Sequence, residues 1–361
     1  MKKNLFLLGL AVAAMTSCTN DEVLEQAQPV RKAIGFESFV NKTTRAVVET
    51  TNDGLSKFFV NGYYMLDGDP VEVFTKEAVT KAGSKWDYAA NNYKYWTDNP
   101  YYFAGYAQSN SDNTALSVNF EPGTGANSDK QMFSIMGHTM NYTADQTTKK
   151  IDYSGTDIVA DLQSVVGSTS QNPGPVSFNF RHLFSKVKFT VYNTDPIFTM
   201  NITDLTINNV KYKGDFISSY YNDWAPLQTD WVPTNDTYEN FIPVVAEDRM
   251  APWTDSDIAN AASQGSNELL VMPQDLSSVT FSITAEFYSG SDLVYTLTFD
   301  DESIIVDDYD VWMPNTYYNY TIMLPSAASR IEFGAPTVAG WGNAIPIELN
   351  SGDNGANGAR Q

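Results

Sequence analysis

Several segments of this sequence alternate between apolar and polar residues with a period of two. In SVTFSITAEFYSG, at 278–290, the residues of one parity are all apolar: Val279, Phe281, Ile283, Ala285 and Phe287. The segments LVYTLTFD at 293–300 and NTYYNYTIMLP at 315–325 repeat the pattern. Because successive side chains of a β-strand point to opposite faces, each segment predicts a strand with one buried face. Helical spacing is scarce, so the chain is predicted to be all-β, with strands that pair antiparallel.

The segment PVSFNFRHLFSKVKFTVYN at 175–193 changes its buried parity. Its apolar residues are even-numbered before His182 and odd-numbered after it: Phe178, Phe180, Val187, Phe189 and Val191. A continuous strand cannot move its buried set to the other face, so we expect a bulge or bend near His182. The segment IVADLQSVVG at 158–167 has some helical spacing but is rich in β-branched residues, which indicates a strand or one short helix.

The length of the chain favours two domains. After a leader is removed, more than 300 of the 361 residues remain, and a single core seldom organises that many. The turn-rich stretch GSTSQNPGP at 167–175 divides them almost equally. We therefore predict an N-terminal β-sandwich at 46–172 and a C-terminal β-sandwich at 173–345. The polar, Gly-rich end of the chain, 346–361, is predicted to be disordered.

Composition excludes several classes of function. The chain has 22 basic and 43 acidic side chains and a formal net charge of −21, which argues against nucleic acid and against charge-driven binding to anionic lipid. The sequence contains no G-x-S-x-G, G-x-x-x-x-G-K or G-x-G-x-x-G segment, so the familiar hydrolase and nucleotide-binding motifs are missing. We predict that the protein is not an enzyme and has no cofactor.

The chain begins like an exported protein. Two lysines precede an apolar run at 5–14, and small residues then lead to Cys18, the only cysteine. These features are typical of a signal peptide, which we predict to span 1–17. The apolar run is too short to cross a bilayer as a helix, and no later segment is long enough either. A single cysteine cannot form a disulfide within one chain, so its position next to the leader has to explain it.

The residues around Cys18 resemble a bacterial lipobox, although Met15 stands where Leu is usual. Asp21 and Glu22 resemble the acidic surface-export signal of lipoproteins in bacteria of the Bacteroides group. The resemblance implies that the Cys18 thiol is lipidated and anchors the precursor in the outer membrane. An ordinary secretory signal with an incidental cysteine is the alternative.

Two polar features of the sequence are candidate metal sites. His138 and His182 are far apart and have no His or Cys partner at a metal-ligand spacing, so both are predicted to be structural. The segment DDESIIVDDYD contains six acids: Asp300, Asp301, Glu302, Asp307, Asp308 and Asp310. Such acids can bind calcium, but the segment lacks the alternating acids and central Gly of a calcium loop, which favours a solvated run of charge.

The segment KWDYAANNYKYWTDNPYYFAGYAQS, at 85–109, is unusually aromatic. Sugars stack on exposed aromatic rings, so its candidate glycan contacts are Trp86, Trp96, Tyr101 and Tyr102. The favoured interpretation is structural: Tyr93 and Tyr95, then Tyr101 and Phe103, alternate like two strands of a hairpin around TDNP and fill a core.

The order of several segments carries a family resemblance. After the lipobox, the chain contains AIGFESF, NKTTRA, KFFVNGYY, YKYWTDNPYYFAGYA, DIVADL, FNFRHLFSKVKFTV, ELLVMPQDLSSVTFSIT, WMPNTYYNYTIML and RIEFGAPTVAGW. In this order and spacing, the chain from Cys18 to about Trp341 resembles the fimbrillin (Mfa-like) family, lipoprotein subunits of type V pili in the Bacteroides group. The resemblance implies two tandem transthyretin-like antiparallel β-sandwich domains.

The resemblance also implies how the protein assembles. An Arg-specific surface protease removes the leader with the first strand, and a strand of another pilus subunit then fills the open groove. Here the removed segment is 18–45. Its strand is AIGFESF, with Ile34, Phe36 and Val40 facing the groove, and the cleaved bond joins Arg45 to Ala46. Arg31 is a competing site, although cleavage there would leave the strand attached; an uncut anchor or tip subunit is the alternative.

Three functions are compatible with the sequence. The first is a structural subunit of a surface pilus (fimbria) that mediates adhesion to a host protein or glycan. The second is a lipid-anchored surface glycan-binding protein that uses the aromatic segment. The third is a surface hydrolase with a carboxylate pair among the many acids. Burial of the aromatic candidates distinguishes the first from the second.

The lipid anchor can be tested with Cys18→Ala. We expect the variant to fold normally but to release the precursor from the membrane, because the thiol carries the lipid and packs against nothing. Detergent fractionation measures the partition. A variant that still fractionates fully with the membrane would show that Cys18 is not the anchor.

Overall fold

The computed structural model of the chain describes residues 33–40, 55–108, 116–140, 143–145, 150–152, 157–165, 174–220, 225–235, 237–238, 249–255, 257, 261–266, 268–306, 309–325 and 332–340. These residues form β-strands and three single-turn 3₁₀ helices. The all-β prediction is confirmed. Within the same ranges, no helix has the length and apolar character needed to cross a membrane.

The strands follow one another along the whole described chain. They are β1 (Phe36–Val40), β2 (Lys57–Leu66), β3 (Asp69–Ala82), β4 (Lys85–Asp87), β5 (Tyr101–Gln108), β6 (Ser117–Pro122), β7 (Gln131–Thr139), β8 (Thr143–Asp145), β9 (Lys150–Asp152), β10 (Ile158–Val165), β11 (Val176–His182), β12 (Ser185–Asn193), β13 (Thr199–Asn208), β14 (Val210–Lys211), β15 (Lys213–Tyr220), β16 (Trp231–Pro233), β17 (Thr237–Tyr238), β18 (Ser263–Gly265), β19 (Leu269–Val271), β20 (Thr280–Ser289), β21 (Asp292–Ser303), β22 (Thr316–Leu324) and β23 (Glu332–Gly340). The 3₁₀ helices are Ala90–Asn92, Gly125–Asn127 and Gln228–Asp230.

The first half of the chain supplies most of a seven-stranded sheet with the order β1-β11-β10-β5-β2-β3-β4. One face of this sheet packs against a four-stranded sheet of order β16-β15-β7-β6. Tyr106 of β5 and Phe133 of β7 meet across that interface with ring centroids 6.2 Å apart. The opposite face buries a separate aromatic core that includes Phe58, Phe103 and Phe178.

The second half forms another pair of packed sheets. One has the order β18-β12-β22-β23, with β19 also pairing with β12, and the other has the order β13-β20-β21. Phe189 of β12 and Phe281 of β20 pack across the interface with ring centroids 5.1 Å apart. The alternation predicted from the sequence is therefore explained by a β-sandwich, in which the side chains of one parity of each strand fill the space between two sheets.

The predicted alternations are borne out residue by residue in β20 and β22. The inward residues of β20, from Phe281 to Phe287, are buried, and so are Tyr318 and Leu324 at the two ends of the buried parity of β22. The segment that begins at Ile158 is strand β10 rather than a helix. Its β-branched residues fit a pleated surface better than a helix.

The predicted bend near His182 is observed. Strand β11 ends at His182 in the seven-stranded sheet, and β12 begins at Ser185 in a different sheet. The two residues between them, Leu183 and Phe184, are both fully buried. The parity changes here because the two strands face two different interiors.

Antiparallel pairing is correct for most neighbours but not for all. Strand β1 pairs with β11 in parallel, and β12 pairs with β22 in parallel. In both cases more than 100 residues separate the partners, so no hairpin turn fixes their relative direction. Alternation alone reports which face is buried, not which way the neighbour runs.

The hairpin proposed around TDNP is wrong. β5 begins at Tyr101 and pairs with β2 and β10, while the residues before it include a 3₁₀ turn and an isolated bridge between Tyr95 and Ala33. Tyr95 is 46% exposed and does not fill the core. The backbone of this segment bonds the residues just before β1 instead of folding back on β5.

The proposed domain boundary at 172/173 lies between described strands. The first strand after it, β11, is hydrogen-bonded into the seven-stranded sheet rather than into the sheets of the second half. That sheet thus combines strands from both sides of the proposed boundary, and the division into domains stays a prediction.

A close approach between two strands gives a test of this packing. A Cβ atom at Gly105 of β5 would lie 2.8 Å from Cδ1 of Phe178 on β11, closer than side chains tolerate. Gly105→Ala should therefore lower the free energy of unfolding by about 1–3 kcal/mol, as expected for overpacking. Urea unfolding measures it. The control is Gly174→Ala, since a Cβ there has no atom within 4 Å; equal midpoints for the two variants would contradict the packing described.

Candidate functional site

The first strand occupies one edge of the seven-stranded sheet. Residues Phe36–Val40 pair in parallel register with β11, Phe36 opposite Val176 and Ser38 opposite Phe178. Ile34 and Phe36 are at most 3% exposed, while Glu37, which lies between Phe36 and Ser38, is exposed. The strand thus presents alternate side chains to the core, as the sequence AIGFESF predicts.

Phe36 packs among five aromatic rings, here called the aromatic socket. Its centroid distances are 6.5 Å to Phe58, 5.4 Å to Phe74, 5.7 Å to Tyr88, 6.0 Å to Phe103 and 6.0 Å to Phe178. These rings come from five different segments of the chain, so a single inserted side chain joins most of the sheet. Aromatic side chains bury a large apolar area, which makes this contact the main apolar anchor of the strand.

The start of the strand is also held by hydrogen bonds. The Ile34 N–H donates to the Lys94 carbonyl at 2.8 Å, and the Tyr88 hydroxyl donates to the Ile34 carbonyl at 3.0 Å. The same hydroxyl accepts the Lys94 N–H at 3.2 Å. Burial raises the pKa of Tyr88 to about 12, so the phenol stays protonated and able to donate. Sequence reasoning did not identify Tyr88 or Lys94 as residues that hold the strand.

Strand β11, which forms one wall of the groove, depends on β1 for its own pairing. It pairs with β10 at only two positions, Val159 with His182 and Ala160 with Arg181. Beyond them it pairs only with the five residues of β1. Removing β1 would leave residues 176–180 with no neighbouring strand among those described, which creates an open edge.

Asp161 takes the place of backbone pairing where β10 and β11 separate. Its carboxylate accepts the Asn179 N–H at 2.8 Å and a side-chain N–H of Gln163 at 2.6 Å. Burial raises the pKa of Asp161 to about 6 against the lowering effect of these bonds. The signal in the sequence is an acid inside the otherwise apolar run IVADL, which sequence reasoning did not use.

The four glycan candidates do not form one surface. Trp96 and Tyr101 are buried against each other with ring centroids 4.9 Å apart, so neither offers a face to solvent. Trp86 and Tyr102 are half-buried and lie apart: Trp86 packs on Phe58 at 4.9 Å, and Tyr102 lies on the other parity of β5 against Tyr63. The aromatic segment is mainly core, which removes the shared platform that the glycan-binding alternative needs.

The histidines are buried in separate places. His182 Nδ1 lies 3.0 Å from both carboxylate oxygens of Asp157. His138 packs beside Phe184 and Trp231, and burial lowers its pKa to about 4. No group of three or more His, Cys, Asp or Glu side chains in the described ranges is arranged to hold a metal ion.

The acidic segment is only partly described. Asp300, Asp301 and Glu302 lie at the end of β21, where Asp301 accepts hydrogen bonds from Thr280 at 2.9 Å and Asn208 at 3.2 Å. Asp307 and Asp308 lie outside the described residues. Asp300 and Asp301 are exposed, and Glu302 is half-buried.

Several predicted positions also lie outside the described residues. They are the signal peptide at 1–17, the lipidation residue Cys18, the competing site Arg31, the cleavage pair Arg45 and Ala46, and the tail at 346–361. The side chain of Val40 is likewise not described. Their roles stay predictions from sequence.

Comparison with protein families now identifies the class to which this fold and groove belong. Residues 44–341 match the fimbrillin-like family. The match covers most of the chain, and the protein therefore belongs to this family, as the order of its segments predicts. Membership supports a role as a pilus subunit at the cell surface, in contact with other subunits, rather than an enzymatic one. No sequence among curated proteins matches the chain.

The chain is similar to solved structures at low sequence identity. A fimbrial protein from Bacteroides vulgatus is 14% identical with a TM-score of 0.56, and the alignment covers 86% of this chain and 99% of that one. A protein from Bacteroides ovatus, described as a candidate in cell adhesion, is 15% identical with a TM-score of 0.47 over 86% and 98% of the two chains. The similarity to the Bacteroides vulgatus protein shows that the two chains share a fold.

The aromatic socket gives a test of what the first strand contributes. Phe36→Ala should lower the free energy of unfolding of the uncut chain by about 3–5 kcal/mol, because it empties a pocket lined by five rings. Urea unfolding measures the change. Glu37→Ala, on the exposed side of the same strand, is the control and should change it by less than about 0.5 kcal/mol. An equal loss in both variants would show that the inward side chain does not anchor the strand.

Proposed function

We propose that this protein is a structural subunit of a cell-surface pilus that is activated by proteolysis and assembled by exchange of its first strand. A protease cuts after Arg45, the segment ending there leaves, and a strand of another subunit takes its place. Before cleavage, lipid on Cys18 holds the precursor in the outer membrane. The assembled subunits form a fimbria that contributes to adhesion.

The observation that carries the proposal is the way the first strand is attached. It is an edge strand at the N-terminal end of the described chain, and one apolar side chain, Phe36, fills a socket built by residues that would all remain after cleavage. Withdrawal of the strand would expose both the socket and the unpaired edge of β11. Backbone donors and acceptors beside an apolar pocket are satisfied by another β-strand, which is the chemistry of strand addition.

The position of the predicted cut is compatible with this scheme. The family match begins at residue 44, next to Arg45, so it covers the part of the chain that cleavage would leave. Arg45 is the only basic residue in TTRAVVETTNDG, and small polar residues precede it. Cleavage there would separate β1 from β2 without removing any described strand of the rest of the fold.

Retention of the first strand should block assembly. In the uncut chain the strand is tethered to its groove, and the high effective concentration of a tethered strand excludes a competitor at ordinary concentration. Arg45→Ala should therefore give a folded, monomeric, lipid-anchored precursor. Incubation of wild-type protein with an Arg-specific protease should produce SDS-resistant ladders on a gel, while the variant gives none.

Arg31→Ala is the matched control for this experiment. Cleavage at residue 31 leaves the strand attached, so this variant should polymerise like wild type. N-terminal analysis of the cleaved wild-type protein should begin at Ala46. If Arg45→Ala polymerises as well as wild type, the proposed processing site is wrong, and an uncut anchor or tip role takes its place.

A further inference from the structure

Ser38 is the one inward position of the first strand that is polar. It follows Ile34 and Phe36 on the buried parity and is only 5% exposed. Its hydroxyl has no hydrogen-bond partner within the described part of the chain. A buried hydroxyl without a partner loses its hydration and gains nothing in return, so this residue weakens the strand that carries it.

The location of this hydroxyl distinguishes it from other unpaired groups. Tyr106 and Trp96 also carry buried polar atoms without a partner in the described ranges. Both belong to the part of the chain that would remain after cleavage, so their cost is the same before and after the strand leaves. The cost at Ser38 belongs only to the resident strand and disappears when that strand is replaced.

Ser38 lies beside an open cleft at the edge of the sheet. The residue lies opposite Phe178 in the β1–β11 register and lines an open cleft of about 590 Å³. The half-buried ring of Trp86 and the stem of Lys81 line the same cleft. An apolar side chain at this position would contact aromatic and methylene groups instead of leaving a hydroxyl unpaired.

We propose, on the basis of the proposed function, that the groove selects an incoming strand of another subunit with an apolar residue at the position of Ser38. Such a strand supplies apolar side chains at three successive inward positions, where the resident strand supplies two and a serine. The resident strand is then a weaker occupant than its replacement. Once cleavage removes the tether, this difference drives the exchange in one direction.

Peptide competition tests the selection directly. The full chain is cleaved with an Arg-specific protease and mixed with labelled peptides of residues 33–40 that carry Ser38, S38T or S38V. Thr and Val have nearly the same shape, and only Thr keeps the hydroxyl. We expect the S38V peptide to bind about tenfold more tightly than the S38T peptide in fluorescence anisotropy, which corresponds to about 1.4 kcal/mol.

A second measurement uses the uncut chain and needs no exchange. The melting temperature of S38V should exceed that of S38T by about 2 °C or more, because the same hydroxyl is removed from the resident strand. S38V should also slow the appearance of ladders after cleavage, since the resident strand then holds the groove more firmly.

The outcomes separate this inference from the proposed function. Binding of the S38V and S38T peptides within twofold of each other, or equal melting of the two uncut variants, overturns the inference and leaves strand exchange intact. Failure of all three peptides to bind the cleaved chain overturns the proposed function, and the inference falls with it.

Discussion

The insertion of Phe36 into the aromatic socket is the contact that joins the first strand to the rest of the first sheet. Its five neighbouring rings come from β2, β3, β5, β11 and the segment after β4, so one side chain connects strands that lie far apart in the sheet order. The same strand provides most of the backbone pairing of β11. Strand β1 therefore lies at the edge of the sheet, but its side chain Phe36 packs in the centre of the aromatic core.

Strand β11 also links the groove to the rest of the molecule. It ends at His182, whose ring meets Asp157 in a buried pair, and the chain then enters the second half. The Leu183 N–H donates to the Ile158 carbonyl, and its own carbonyl accepts the Trp231 indole N–H at 2.7 Å. The part of β11 that would lose its neighbour on removal of β1 is thus continuous with this hydrogen-bonded junction. The hydrogen bonds of the junction involve no residue of β1, so removal of β1 would leave them in place.

A removable strand has to satisfy two opposing requirements. It must stabilise the precursor well enough to fold, and it must yield to a replacement after cleavage. Phe36 and Ile34 serve the first requirement through apolar burial, and the tether to the remaining chain adds a high effective concentration. In the proposed exchange Ser38 would serve the second, because a polar residue on the buried parity would lower the affinity of the free strand without altering its register. In this proposal both requirements are met by residues of one parity in the eight-residue segment 33–40.

The sequence by itself determined that the chain is all-β, which parity of β11, β12, β20 and β22 is buried, that the chain bends near His182, and that AIGFESF turns Ile34 and Phe36 inward. These features follow from the period of the backbone, which is local. Only the tertiary structure decided that β1 pairs in parallel with β11 and that β12 pairs in parallel with β22. It also decided that the TDNP segment forms no hairpin and that Trp96 and Tyr101 are core. It also showed that Tyr88 and Lys94 hold the strand, and that the Ser38 hydroxyl is buried and has no hydrogen-bond partner among the described residues. Such facts depend on which distant segments become neighbours, and alternation carries no information about the neighbour because every strand with one apolar face has the same pattern.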